Sequence, residues 1–162
     1  MTAAHDIARL AAMRKSLSLA AALLAAATIV HADPASLPAA DRAAIVVAPA
    51  ATAPQLRVAE IPASIRAIAF PYMADPGQPF QVADTISPGD NQPGGRLVWG
   101  VRIGRLYVLH SEFGGIAHGF QVRVYELGPA AAKQVWGAYG PRYATFVAFQ
   151  AALRSGRLAA TS

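Results

Sequence analysis

The stretch HSEFGGIAHG, His110 to Gly119, places two histidines, a glutamate and a serine within ten residues. Those residue types can ligate zinc, exchange protons, or pair a nucleophile with a base. A Gly-Gly flanked by apolar runs also describes the tip of a β-hairpin. Register decides between these readings, because successive strand side chains face opposite sides. With Gly114-Gly115 as a two-residue tip, Phe113 opposes Ile116 and Ser111 opposes His118. Tyr107, Leu109, Ser111, His118, Phe120 and Val122 then line a core face, while His110, Glu112, Gln121 and Arg123 line a wetter one. The two imidazoles diverge, so a catalytic zinc lacks its third ligand. Ser111 beside His118 lacks an acid to orient the ring. The reading is therefore a hairpin with no catalytic residue, no metal and no cofactor, in which the Ser111 hydroxyl satisfies His118. The alternative is a small hydrolase or metal-dependent enzyme using His110, Glu112 and His118.

The preceding run RLVWGVRIG tests that parity. A bulge or odd-length loop near Gly104-Arg105 keeps Trp99 beside Leu109 on the core face, and that is the expectation. A two-residue turn there would pack Trp99 on His110 and make His110 the better functional candidate.

The elements that position these residues follow from composition. All thirteen aromatic residues lie between Phe70 and Phe149, which marks the folded unit as residues 65–158. Within it, RLVWGVRI, LYVLHSEF, IAHGFQVRVYEL and KQVWGAY are β-branched and aromatic runs separated by turn residues. IRAIAF and FQVADTI are candidate edge strands in a Pro-rich stretch. Thr145 can cap a helix over ATFVAFQAALRSG whose apolar stripe is Phe146, Phe149 and Leu153, stopped at Gly156. The fold class is α+β: an antiparallel meander of four or five strands with a C-terminal helix packed on one face. Residues 33–64 hold eleven Ala and five Pro without an aromatic, and read as a flexible tether in which AIVVA and LRVAE are the only candidate strands. Gly114, Gly115 and Gly119 do not open a helix after a strand, which excludes a phosphate-binding loop.

The segments LHSEFGGIAHGFQVRVY and VWGAYGPRYATFVAFQAALRSGRL resemble a group of small exported bacterial proteins without an assigned activity. The likeness runs from Phe80 to Leu158. It implies export and a compact α+β domain, and departs from the pattern at Ser111, where an aromatic is expected.

Residues 1–32 read as a signal peptide: Arg14 and Lys15, an apolar run from Leu17 to Val30, and a small-residue cleavage pattern ending at Ala32. Asp6 fits no basic n-region, which makes Met13 the alternative start. The apolar run is shorter than the ~20 residues a membrane span needs. Of fourteen Lys+Arg and nine Asp+Glu, the leader takes Arg9, Arg14, Lys15 and Asp6 with it, leaving a weakly basic domain without a cationic cluster. That pattern excludes nucleic acid as a partner. No Cys is present, so the core alone must hold the fold. The function expected is a non-catalytic binding or interaction domain of the periplasm or secreted space, with an envelope protein or peptide as partner. Its contact residues would be His110, Glu112 and Arg123 on the wetter face, and Phe70 and Tyr72 in the loop FPYM.

Overall fold

The computed structural model describes residues 37–49, 52–69, 72–82, 91–115 and 117–158. The expected leader, its cut after Ala32, and Phe70 lie outside them. Among the described residues, three α-helices (α1 Ala39–Val47, α2 Ala63–Ala69, α3 Phe146–Ser155) accompany five strands (β1 Met73–Ala74, β2 Gly95–Ile103, β3 Leu106–Phe113, β4 Gly119–Leu127, β5 Ala132–Gly140). The strands form one sheet in the order β1-β2-β3-β4-β5. The fold is α+β, but a pure antiparallel meander is not what forms: β2 to β5 pair antiparallel, whereas β1 runs parallel to β2.

β3 sits in the middle of the sheet, and every residue from Leu106 to Glu112 is buried. The reason is a second core. On one face Trp99, Val101, Val108, Val122, Val124 and Trp136 pack with Ile45 of α1 and with Phe146, Phe149 and Leu153 of α3. On the other, Leu97, Tyr107, Leu109 and Tyr125 pack with Ile61, Ile65 and Ala69. A strand covered on both sides loses the apolar/polar alternation that a half-buried strand shows. No wetter face of the hairpin exists.

Two helices stand where others were expected. IRAIAF is not an edge strand: Ile65 and Ala69, four apart, share one side of α2, and Ile61 just ahead of the helix packs into the same cluster. Residues 39–47 are not a tether. Alanine costs least to hold helical, Pro38 precedes the first helical residue where its missing N–H is not needed, and Leu37 and Ile45 supply the apolar contact that the composition hides. Asp41 of α1 pairs with Arg105 at 2.6 Å, and Arg105 also pairs with Glu126, tying the helix to the β2-β3 turn. Gln150 of α3 donates to the carbonyls of Ile45 and Ala48 at 2.7 and 2.9 Å, locking α1 and α3 together. α3 itself has the expected boundaries: Thr145 Oγ1 accepts from the Ala148 N–H at 3.2 Å, and Gly156 ends the helix at φ 70°.

Both turns of the meander differ from expectation. Ile103 pairs with Leu106, so the β2-β3 turn has two residues, Gly104 and Arg105, and the bulge lies within β2 between Leu97 and Trp99. Phe113 pairs with Gly119, so the β3-β4 connection has five residues rather than two. Relative to a Gly114-Gly115 tip, this shifts β4 by an odd number of positions and exchanges its two faces. Gly114 serves another purpose, because its N–H donates to the Gly94 carbonyl and a Cβ there would overlap the Gln81 carbonyl.

Gly100 is likewise a point of close approach. Its N–H and C=O both bond to the backbone of Gln55, and the Tyr107 side chain lies across it to reach Gln55 Oε1 at 2.6 Å. A Cβ at Gly100 would overlap the Tyr107 hydroxyl. Gly100→Ala is expected to lower unfolding free energy by about 2 kcal/mol or more, as overpacking does. Tyr107→Phe in the same chain should recover only part of that, because ring carbon Cζ remains in the way; urea titrations of the three chains check this.

Candidate functional site

Arg96, His110 and Glu112 project from the Trp99 face of the sheet, as the pairs Arg96 with Glu112 and Trp99 with His110 require. The bulge between Leu97 and Trp99 makes this possible, since it lets residues three apart on β2 share a face.

His110 is fully buried. Its ring lies against Trp99, Tyr143 and Phe120, with centroids 5.1, 5.7 and 5.9 Å away. Nδ1 lies 2.9 Å from the Gln121 carbonyl, and Nε2 accepts the backbone N–H of Tyr143 at 3.0 Å. A carbonyl only accepts and an amide only donates, so these partners dictate the neutral ring with its proton on Nδ1. Burial first, and then the charge of Arg142, push the ring pKa down to about 4 against the hydrogen bond to Gln121 and the charge of Glu112. Trp99 Nε1–H donates to the Tyr143 carbonyl at 2.8 Å. The two side chains thus hold both backbone groups of one residue in the corner between β5 and α3.

Glu112 faces the other end of the same surface. Its carboxylate takes Arg96 on Oε2, from Nη2 at 2.6 Å and Nε at 3.1 Å, and His118 Nε2 on Oε1 at 2.8 Å. Its side chain is 9% exposed, whereas that of His118 is 43% exposed. The five-residue loop brings His118 here. The expectation that Ser111 satisfies His118 is therefore corrected: Ser111 pairs with Gln121, is fully buried, and its Oγ has no hydrogen-bond partner. Arg96 lies over the Phe80 ring, 4.7 Å from its centroid, and His118 stands between Phe80 and Phe120 at 6.2 and 6.3 Å. Burial raises the Glu112 pKa, but the hydrogen bonds and charges of His118 and Arg96 outweigh it and hold the carboxyl below its ordinary range.

The residues read from the sequence are thus only partly brought together. Glu112 meets His118, while both nitrogens of His110 are occupied elsewhere. Arg123 lies on the opposite face, bonding Gln121 Oε1 at 3.1 Å and the Ala69 carbonyl at 2.9 Å. Tyr72 is 75% exposed. Arg96 was overlooked as a partner for Glu112, and no signal in the sequence specified that pairing without the register. Among the described residues no group of three His, Asp or Glu side chains is placed to hold a metal ion. Chemically, the Glu112-His118 pair presents an imidazole held at Nε2 on a side chain 43% exposed, and the Ser111 hydroxyl lies on the other face of the sheet. No protein-family model, curated protein or solved structure matches the chain.

Glu112→Gln removes the charge that Arg96 and His118 share and is expected to cost roughly 2 kcal/mol. Because the folded pKa is depressed, this contribution is present above the ordinary carboxylate range and is lost as pH falls through the folded value. Unfolding titrations at pH 7 and pH 3 should therefore differ less for Glu112→Gln than for the wild type. Ser111→Ala should be neutral or stabilising, since it removes an unsatisfied buried hydroxyl.

Proposed function

We propose that this chain is an exported domain that acts by binding a protein or peptide of the cell envelope, and not by catalysis. The observation that carries the reading is how the reactive-looking side chains are used: both His110 nitrogens and both Glu112 oxygens are engaged in internal bonds. Among the described residues, one rim of the sheet offers a partner exposed side chains beside this cluster. Tyr72 leads into β1, whose Met73 pairs with Gly95. Gly94 contacts Gly114 of the loop that carries His118, and Gly115 donates to the Val82 carbonyl. Tyr72 and Val82, at 75% and 49% exposure, thus lie on segments that pair with those carrying Arg96 and His118. An aromatic, an aliphatic, a guanidinium and an imidazole around one loop form a surface suited to a peptide segment.

A photo-crosslinking amino acid at Tyr72 should give a discrete adduct in the envelope that is lost on Val82→Asp and absent when the probe is moved to Val147. No adduct at Tyr72, or one insensitive to Val82→Asp, would sink the binding reading. The export component is tested separately by the N-terminus of protein recovered from the periplasm or medium, expected at Asp33; uncut protein confined to the cytoplasm contradicts it.

The 2.8 Å bond between Glu112 and His118 favours one second reading, a small hydrolase or metal-dependent enzyme. Its support would be zinc recovered with the wild-type protein and lost in His118→Ala.

A further inference from the structure

We propose that His110 is an acid-operated latch: protonation at Nε2 releases the Tyr143 N–H and lets residues 141–145 swing away from the sheet while β2, β3 and β4 remain paired. The geometry sets this up. Nε2 holds the Tyr143 N–H by its lone pair alone, at 3.0 Å. A proton from solvent at that atom would place two N–H groups head to head, converting the bond into a repulsion, while Nδ1–H continues to donate to the Gln121 carbonyl. The second hold on Tyr143, from Trp99 Nε1, does not titrate, so the corner loses one of its two side-chain anchors.

The corner has no ladder of its own. Residues 141–143 belong to no strand or helix, and they connect Gly140 at the end of β5 to the Thr145 cap of α3. A cavity of about 10 Å³ lies against the ring, bounded by His110, Pro141, Tyr143, Phe149 and Leu158 among others. That is room for about one water, the first that a charged ring would draw in.

The ionisable groups around the ring are few. From the corner come Arg142, whose charge opposes protonation, and the Tyr143 hydroxyl, which burial keeps neutral. From β3 comes Glu112, whose charge favours the proton but is shared with Arg96 and His118. β2, β4 and α3 offer Trp99, Phe120, Val122 and Phe149, which do not ionise, and β5 brings the Tyr139 phenol to the same cavity. In the closed corner the ring pKa is about 4, against 6.5 for a solvated imidazole. The open form therefore binds the proton between these values and the closed form does not, so closure weakens as pH falls through that window.

The test is amide hydrogen exchange by NMR on the full chain at pH 7 and pH 5, corrected for intrinsic rates. Protection at Tyr143 and Ala148 should fall on the order of twenty-fold between the two, from the ring pKa difference. His110→Gln, which keeps an acceptor and cannot titrate, should flatten the change. Unchanged protection at Tyr143, or an equal fall in the variant, overturns the proposal. Should the variant not fold, Val108 in β3 serves as the internal reference. A fall at Tyr143 without one at Val108 supports the latch, and equal falls at both mean whole-domain unfolding and overturn it.

Discussion

The backbone of Tyr143 is where the sheet and the C-terminal helix are joined. His110 accepts its N–H and Trp99 donates to its C=O, both from within the apolar layer that Phe149 and Leu153 complete. Unpaired backbone groups buried in such a layer would each cost roughly 1–3 kcal/mol. Two side chains of the central strands remove that cost at the corner where the chain leaves β5 for α3 without secondary structure of its own. Thr145 then caps α3 two residues later, and α3 brings Gln150 against α1. These contacts follow one another along the chain: the Tyr143 corner adjoins the cap, the cap satisfies the first turn of α3, and α3 packs into the larger core.

The same constraint explains why the chemical groups of this motif are engaged within the fold. A buried imidazole is tolerated when both nitrogens are satisfied, and His110 meets that condition with backbone partners alone. A nearly buried carboxylate is tolerated when it is paired, and Glu112 is paired twice. Satisfaction of this kind uses up the lone pairs and protons that a reaction would need. His118 is the exception in the stretch: its Nε2 is held by Glu112 while the side chain stays 43% exposed, at the rim where binding is proposed.

Much of the fold was legible in the sequence, and the reasons are local. The Thr145 cap, the Phe146-Phe149-Leu153 stripe and the Gly156 stop act within α3 and could be read directly. The four long strands showed in their β-branched and aromatic runs. The register was not legible, because Gly114-Gly115 looks like a tip but is needed for the approach of residues 81 and 82. That single misassignment moved His118 from beside Glu112 to the opposite face. The second core was hidden too, since the helix that covers it was read as an edge strand, and α1 was hidden by an Ala-rich composition that suits both a helix and a loose segment. Trp99 against His110 followed from the two-residue turn at Gly104-Arg105, the alternative that the parity argument set aside.

The claim on which the rest depends is that His110 is a neutral structural ring with its proton on Nδ1. A long-range proton-nitrogen correlation spectrum of the ring at pH 7 reads this directly. A protonated Nδ1 and an unprotonated Nε2 is the expected pattern. A proton on Nε2, or on both nitrogens, would contradict it, because the Tyr143 N–H would then have no acceptor.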